Sequence, residues 1–206
     1  MTQHDERQAR KEYVRQRQRL VFTVSGAALA VALVIALLFF FHVFGLGLKE
    51  SPVVQPNYGN TAPCAVDGED GTKATYVANG QVTVRVRNGT DHMGLGSAVG
   101  NALANRNFTI QVVDTYSSSN VTRTVLYFGK NAINEAYTLA ANFTDATMVM
   151  TAREDKLIDV VIGATFNDLR DTDEVPQAGA EITSIEGCVA ADSMTDLPED
   201  TEHTAV

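Results

Sequence analysis

The feature that most limits what this chain can become is an uncharged stretch near its start. No Lys, Arg, Asp or Glu lies between Arg19 and Lys49, and the only titratable side chain in Leu20–Leu48 is His42. About 20 apolar residues, rising about 1.5 Å each, cross a hydrocarbon core of about 30 Å, and Leu20–Phe44 supplies that length with a margin for tilt. A cleaved signal peptide shares the layout, and Gly45-Leu46-Gly47 offers small residues for cleavage. Its apolar region, however, runs only about 7–15 residues. The stretch therefore reads as a retained, single transmembrane helix over 20–48, with His42 an interfacial side chain rather than a proton relay.

The flanks give that helix a direction. Met1–Arg19 carries Arg7, Arg10, Lys11, Arg15, Arg17 and Arg19 against Asp5, Glu6 and Glu12, a net +3 in a head too short to fold alone. Basic residues next to a span stay cytoplasmic, which places the N-terminus inside and the remainder outside the plasma membrane. The whole chain is −9, so residues 20–206 carry −12 and make a poor partner for nucleic acid. The Arg15-x-Arg17-x-Arg19 spacing is accounted for by topology and lipid headgroups. Residues 49–63, with Pro52, Pro56 and Pro63, read as an extended stalk. Residues 191–206, acidic and poor in apolar side chains, read as a disordered tail. Residues 64–190 remain, enough for one domain with its own core.

Both cysteines belong to this outer part, Cys64 just after the stalk and Cys188 just before the tail. An oxidising compartment permits a disulfide joining the two ends of the domain. Two isolated thiols with no Cys-x-x-Cys or His pair do not make a zinc set, and no nearby His activates either as a nucleophile.

Within the domain the hydrophobic period alternates between two and 3.6. Gln81–Arg87 sets Val82, Val84 and Val86 against Thr83, Arg85 and Arg87 as a half-buried strand. Gly94–Asn105 carries a helical stripe of Leu95, Ala98, Val99, Ala102 and Leu103. Strands are predicted around Phe108–Val112 and over Thr122–Phe128. A second helix follows, with Asn131 as its cap and Ile133, Ala136, Tyr137 and Ala140 on one face. Met148–Met150 and Leu157–Ile162 are further strands, and Glu181–Glu186 an optional edge strand. The order predicts an α+β domain of the split-βαβ (ferredoxin-like, RRM-like) kind, both helices on one face.

These residues also carry a resemblance. Val82-Thr83-Val84-Arg85-Val86-Arg87-Asn88-Gly89-Thr90, then Gly94-Leu95-Gly96 and Phe108-Thr109-Ile110, resemble the LytR C-terminal domain family. Val125-Leu126-Tyr127-Phe128 before an Ala-rich helix, and Asp159-Val160-Val161-Ile162-Gly163 before Thr165-Phe166, are similar to its second half. A short basic head, one span and one such domain flanked by cysteines is similar to actinobacterial cell-envelope-integrity proteins. The resemblance implies a membrane-anchored extracytoplasmic protein that supports a sound cell wall, without enzymatic activity in this domain. In the larger LytR-CpsA-Psr relatives a catalytic domain precedes it. Here only the stalk does, so ligase activity is not carried over.

Catalytic and metal patterns fall away on inspection. Gly94-x-Gly96-x-x-x-Gly100 has the wrong spacing for a dinucleotide fingerprint. His92, beside Asp91, has no nameable nucleophile to serve. Asp171-x-Asp173-Glu174 lacks the glycine and spacing of an EF-hand. The N-x-[ST] patterns at Asn88, Asn107, Asn120 and Asn142 read as turn chemistry or chance. No cofactor is expected. One arrangement survives as a binding candidate, ranked behind plain cross-strand pairing: a split-βαβ sheet makes the first and third strands neighbours, so Arg85 and Arg87, with Arg123 near, would form a seat for phosphate or carboxylate. Cross-strand pairing of those arginines with Asp or Glu is the preferred reading. The Asn88-Gly89-Thr90 turn, with glycine for positive φ, is a second ligand candidate. The sequence thus points to a non-catalytic envelope binding or scaffold protein whose partners are the membrane and an anionic wall polymer or envelope-assembly enzymes. The alternatives are a regulatory subunit docking on a wall-polymer ligase and an undetected hydrolase or transferase.

Overall fold

The computed structural model describes residues 3–40, 56–68, 70–200 and 203–206, and the chain divides into two units, Met1–Val53 and Val54–Val206. The described part of the first unit is one helix, α1 (Gln3–Phe40). Its segment Tyr13–Leu37 is long and apolar enough to cross a membrane, about 37 Å at the α-helical rise. The basic head, too short to fold alone, is the first part of this same helix. Helix nucleation is the costly step, and a long span that is already helical extends cheaply into Arg-, Gln- and Glu-rich sequence. Residues 41–48 of the expected span, His42 among them, and residues 49–55 of the stalk lie outside the described residues.

The second unit is built on a sheet of β1 (Thr83–Asn88), β2 (Thr109–Thr115), β3 (Val125–Phe128), β4 (Thr147–Met150) and β5 (Leu157–Ile162). Helix α2 (Leu95–Asn105) links β1 to β2, and α3 (Ile133–Ala140) links β3 to β4. The α+β class is as expected, but the strand order corrects the split-βαβ topology: it is β2-β1-β5-β3-β4. In a split unit the two strands of each βαβ stand apart. Here each crossover joins parallel neighbours, β1 with β2 and β3 with β4. β5 then joins the two halves, parallel to β1 and antiparallel to β3. Its sequence explains the place: all six residues of Leu157-Ile158-Asp159-Val160-Val161-Ile162 are buried, which suits the middle of a sheet and not its edge.

One face of the sheet forms the core. Val84 and Val86 pair in register with Ile158 and Val160, Val160 with Leu126, and Leu126 and Phe128 with Met148 and Met150. Val99 and Leu103 of α2 and Ile133, Ala136 and Leu139 of α3 complete the same buried cluster. Helix α2 approaches β1 and β2 through its glycines; a Cβ on Gly100 would stand 2.8 Å from Val113 Cγ2. Asn131 does not cap α3. It lies in the 3₁₀ turn Lys130–Ala132 and donates to Glu154 O at 2.6 Å, leaving Ala132 as the N-cap. Among the described residues Glu181–Glu186 contributes a single antiparallel bridge, Thr75 to Glu181, and the chain turns at Glu186-Gly187, with Gly187 at φ +73.

Two further devices close the unit. Asn57 lies beside β4 and mimics a neighbouring strand: its side-chain amide donates to Met148 O at 2.8 Å and accepts from Met148 N at 2.7 Å. Cys64 and Cys188 form the expected disulfide, 124 residues apart in sequence. It sits on a short parallel pairing in which Cys64 N donates to Val189 O at 2.9 Å and Val189 N to Ala62 O at 3.0 Å.

Residues 191–200 and 203–206, expected to be a free acidic tail, lie along the domain. Ala191, Met194 and Leu197 pack against the core, and Ala152 N donates to Pro198 O at 3.4 Å. Gln111 Nε2 of β2 donates to Thr204 O at 2.9 Å. Composition counts the segment's charges as solvated, whereas Asp200 and His203 have partners in the β4–β5 loop, Arg153 and Asp155.

Candidate functional site

Alternation along β1 puts Arg85 and Arg87 on the face opposite the core, as the sequence requires. The structure does not leave Arg85 open there. Arg85 is 5% exposed and aligned in register with Asp159 of β5. Its Nε donates to Asp159 Oδ1 at 2.6 Å, and its Nη2 to Asp159 Oδ2, a two-pronged pair. An anion seated on Arg85 would have to displace that carboxylate. Arg87 pairs across the strands with Asp114 at 3.1 Å and lies 4.9 Å from the Tyr116 ring centroid. Arg123 precedes β3 and stacks its guanidinium on the Tyr58 ring, 3.6 Å from the centroid. The three arginines therefore hold three separate partners, because β5 occupies the place beside β1 that the expected topology gave to the third strand.

What does gather on this face is a buried ionic cluster that sequence reading missed. Arg153, from the β4–β5 loop, is 4% exposed and Asp159 1%. Arg153 Nη1 donates to Leu157 O at 2.8 Å and Nη2 to Asp159 Oδ2 at 3.1 Å. On its outer edge Arg153 Nε donates to Asp200 Oδ1 at 3.0 Å, while Asp155 Oδ1 stands 3.9 Å away. The His203 ring lies between two carboxylates, Nε2 at 2.7 Å from Asp155 Oδ2 and Nδ1 at 3.0 Å from Asp200 Oδ2.

The electrostatics follow from burial opposed by pairing. Burial alone raises the Asp159 carboxyl, but the Arg85 hydrogen bonds and the charges of Arg153 and Arg85 hold it below its ordinary value. Burial alone lowers Arg153, and hydrogen bonds to Asp200 and Asp159 carry it above its ordinary value instead. Hydrogen bonding to Asp159 likewise raises Arg85 against the opposing effect of burial. One signal for this cluster was present in the sequence: Asp159 is the lone charge in an apolar strand, and a buried carboxylate needs a cation.

The second candidate, Asn88-Gly89-Thr90, is a self-satisfied turn. Asn88 Oδ1 accepts from Thr90 N at 3.1 Å and from Thr90 Oγ1 at 2.8 Å, and Asn88 Nδ2 donates to His92 O at 2.8 Å. Gly89 is not at positive φ; the left-handed glycine here is Gly94, at +83, as the N-cap of α2. Gly89 is required by proximity instead, since a Cβ would stand 2.7 Å from both Ile162 O and Val121 Cγ2. Gly89→Ala is expected to cost about 1–3 kcal/mol by overpacking, measured as a lowered thermal midpoint. An unchanged midpoint would show that β5 and residue 121 yield freely.

His92 is exposed in the same loop. Asp171, Asp173 and Glu174 are exposed, with Glu174 N bonded to Asp171 O at 3.0 Å in a turn. Among the described residues no group of three His, Cys, Asp or Glu is placed to hold a metal ion. Asn142, of the N-x-[ST] patterns, is buried and bonded to Arg106 Nη1 at 3.0 Å and to Thr138 O at 3.1 Å.

Residues 81–166 match a protein family described as LytR cell envelope-related transcriptional attenuator. Among solved structures the chain is similar to the soluble domain of a conserved hypothetical secreted protein from Mycobacterium marinum. The two are 23% identical, with 50% of this chain and 72% of that chain covered and a TM-score of 0.42. No curated protein matches the chain.

Proposed function

We propose that this chain, which carries the domain of a cell-envelope-related family at residues 81–166, is a membrane-anchored extracytoplasmic protein that binds or scaffolds wall components. In this reading it supports cell-wall integrity and catalyses no reaction. The observation that carries it is the joining, on one chain, of an exposed apolar helix behind a basic head to a domain closed by Cys64–Cys188. Paired cysteines belong to oxidising compartments, and basic flanks stay in the cytoplasm, so both features call for the same orientation. The partners in this reading are the membrane and wall components or envelope-assembly enzymes.

Two measurements test this. Single cysteines introduced as Gln8→Cys and Ser119→Cys are exposed to a membrane-impermeant maleimide in intact cells. Ser119→Cys is expected to react at once, and Gln8→Cys only after permeabilisation; the reverse pattern overturns the orientation. Affinity capture of the intact protein from membranes, with identification of co-purifying glycans and proteins, is expected to recover wall polymer. Recovery of an envelope enzyme without glycan would favour a second reading, a docking subunit. The edge position of β2, with most of its residues exposed, favours that reading.

A further inference from the structure

The ionic cluster has an inner and an outer half. Arg153 is fixed from behind by Leu157 O and Asp159 Oδ2, contacts made entirely within the β4–β5 loop and the sheet. Its outer edge, Nε and Nη2, is turned to a carboxylate supplied by a different part of the chain, Asp200. The guanidinium is therefore held in place whether or not Asp200 is present, which is how a preorganised carboxylate seat is built. The sheet and loop also read main chain beside it: Ala152 N donates to Pro198 O and Gln111 Nε2 to Thr204 O. His203, between Asp155 and Asp200, fastens the same segment.

We propose that the outer edge of Arg153 is a binding seat for an acidic peptide of a partner protein, and that the chain's own C-terminal segment fills it until displaced. This deepens the reading of the domain as a binding module and rests on it. The present occupant identifies the ligand class. A phosphate-bearing polymer would satisfy the guanidinium fork but not the two main-chain contacts, whereas an Asp-containing peptide satisfies all three. A tethered occupant acts at an effective concentration in the millimolar range for a short flexible connection, so an incoming peptide competes at a disadvantage. Weakening the internal occupant should expose the seat.

The test uses the full chain in detergent micelles and a fluorescent synthetic peptide with the sequence of residues 194–206, read by anisotropy. Asp200→Asn in the protein removes the charged contact from an exposed residue and leaves Arg85, Arg153 and Asp159 intact. It is expected to bind the peptide at least tenfold more tightly than the unsubstituted chain. A peptide carrying Asn in place of Asp200 is expected to lose that binding. The proposal is overturned if Asp200→Asn melts normally and gains no peptide affinity, or if the Asn peptide binds equally well. Inorganic phosphate is the third arm. Displacement of the peptide by equal concentrations of phosphate would reduce the site to a general anion seat and overturn the peptide assignment. None of these outcomes depends on topology or wall binding, so the labelling and capture experiments fail or succeed separately.

Discussion

Replacing Cys64 and Cys188 together by serine is expected to lower the unfolding free energy of the outer unit by about 4 kcal/mol. The bridge spans 124 residues, and closing a loop of about 100 residues is worth about 4.7 kcal/mol in the chain-entropy model. Against a total of about 5–15 kcal/mol for an ordinary domain, that is a large share. The native contacts beside the bridge, Cys64 N to Val189 O and Val189 N to Ala62 O, survive the substitution. The loss therefore acts mainly through a freer unfolded chain. Urea unfolding of the full chain in detergent, followed by tyrosine fluorescence because the sequence has no tryptophan, measures it. An unchanged midpoint, with the slope unchanged, would mean that the reduced unfolded chain keeps its ends together without the bond.

Asp159→Asn is expected to cost about 3–5 kcal/mol, the range for removing one partner of a buried ion pair. Asn keeps the shape of the side chain but leaves the Arg85 and Arg153 guanidinium groups, both buried, without the carboxylate between them. The same group predicts an acid limb. Asp159 is held below its ordinary value in the folded protein, so its contribution is fully present above the ordinary aspartate value of about 3.9. It is lost as pH falls through the lower, folded value. The unsubstituted chain should thus lose stability steeply below about pH 4, and Asp159→Asn should lack that part of the slope. Parallel slopes in the two proteins would show that Asp159 is not a linked group.

The limits of sequence reading here have physical causes. β1 and β5 were legible because period-two alternation and a short apolar run are local signals, and Cys64 and Cys188 were legible from their positions at the ends of one domain. The strand order was not, since periodicity reports which face is buried and says nothing about which strand lies alongside. That single ambiguity moved β5 between β1 and β3 and separated Arg123 from Arg85, while the preferred reading of Arg85 and Arg87 as cross-strand ion pairs holds, with Asp159 and Asp114. Arg153 was invisible for a similar reason: a loop arginine has no pattern, and its partners lie at Asp159 and Asp200. The C-terminal segment was misjudged because composition weighs charge without knowing which charges find partners. Its few apolar residues, Met194 and Leu197, were the clue that it could dock.

The disulfide also determines where mechanical load can travel. Cys64 and Cys188 lie near the two ends of the domain's chain, and a covalent bond joins the two points. Tension applied between the helical anchor and the C-terminal segment reaches Cys64, crosses the sulfurs and continues from Cys188. Load is borne first by the attachments outside the bridge, Asn57 on β4 and Thr204 on Gln111 of β2; once these part, the sulfurs carry the pull and the chain between Cys64 and Cys188 is bypassed. A domain wired in this way can be tugged at both ends without being unzipped. Once the bond is reduced, the same force would pass strand by strand through the fold.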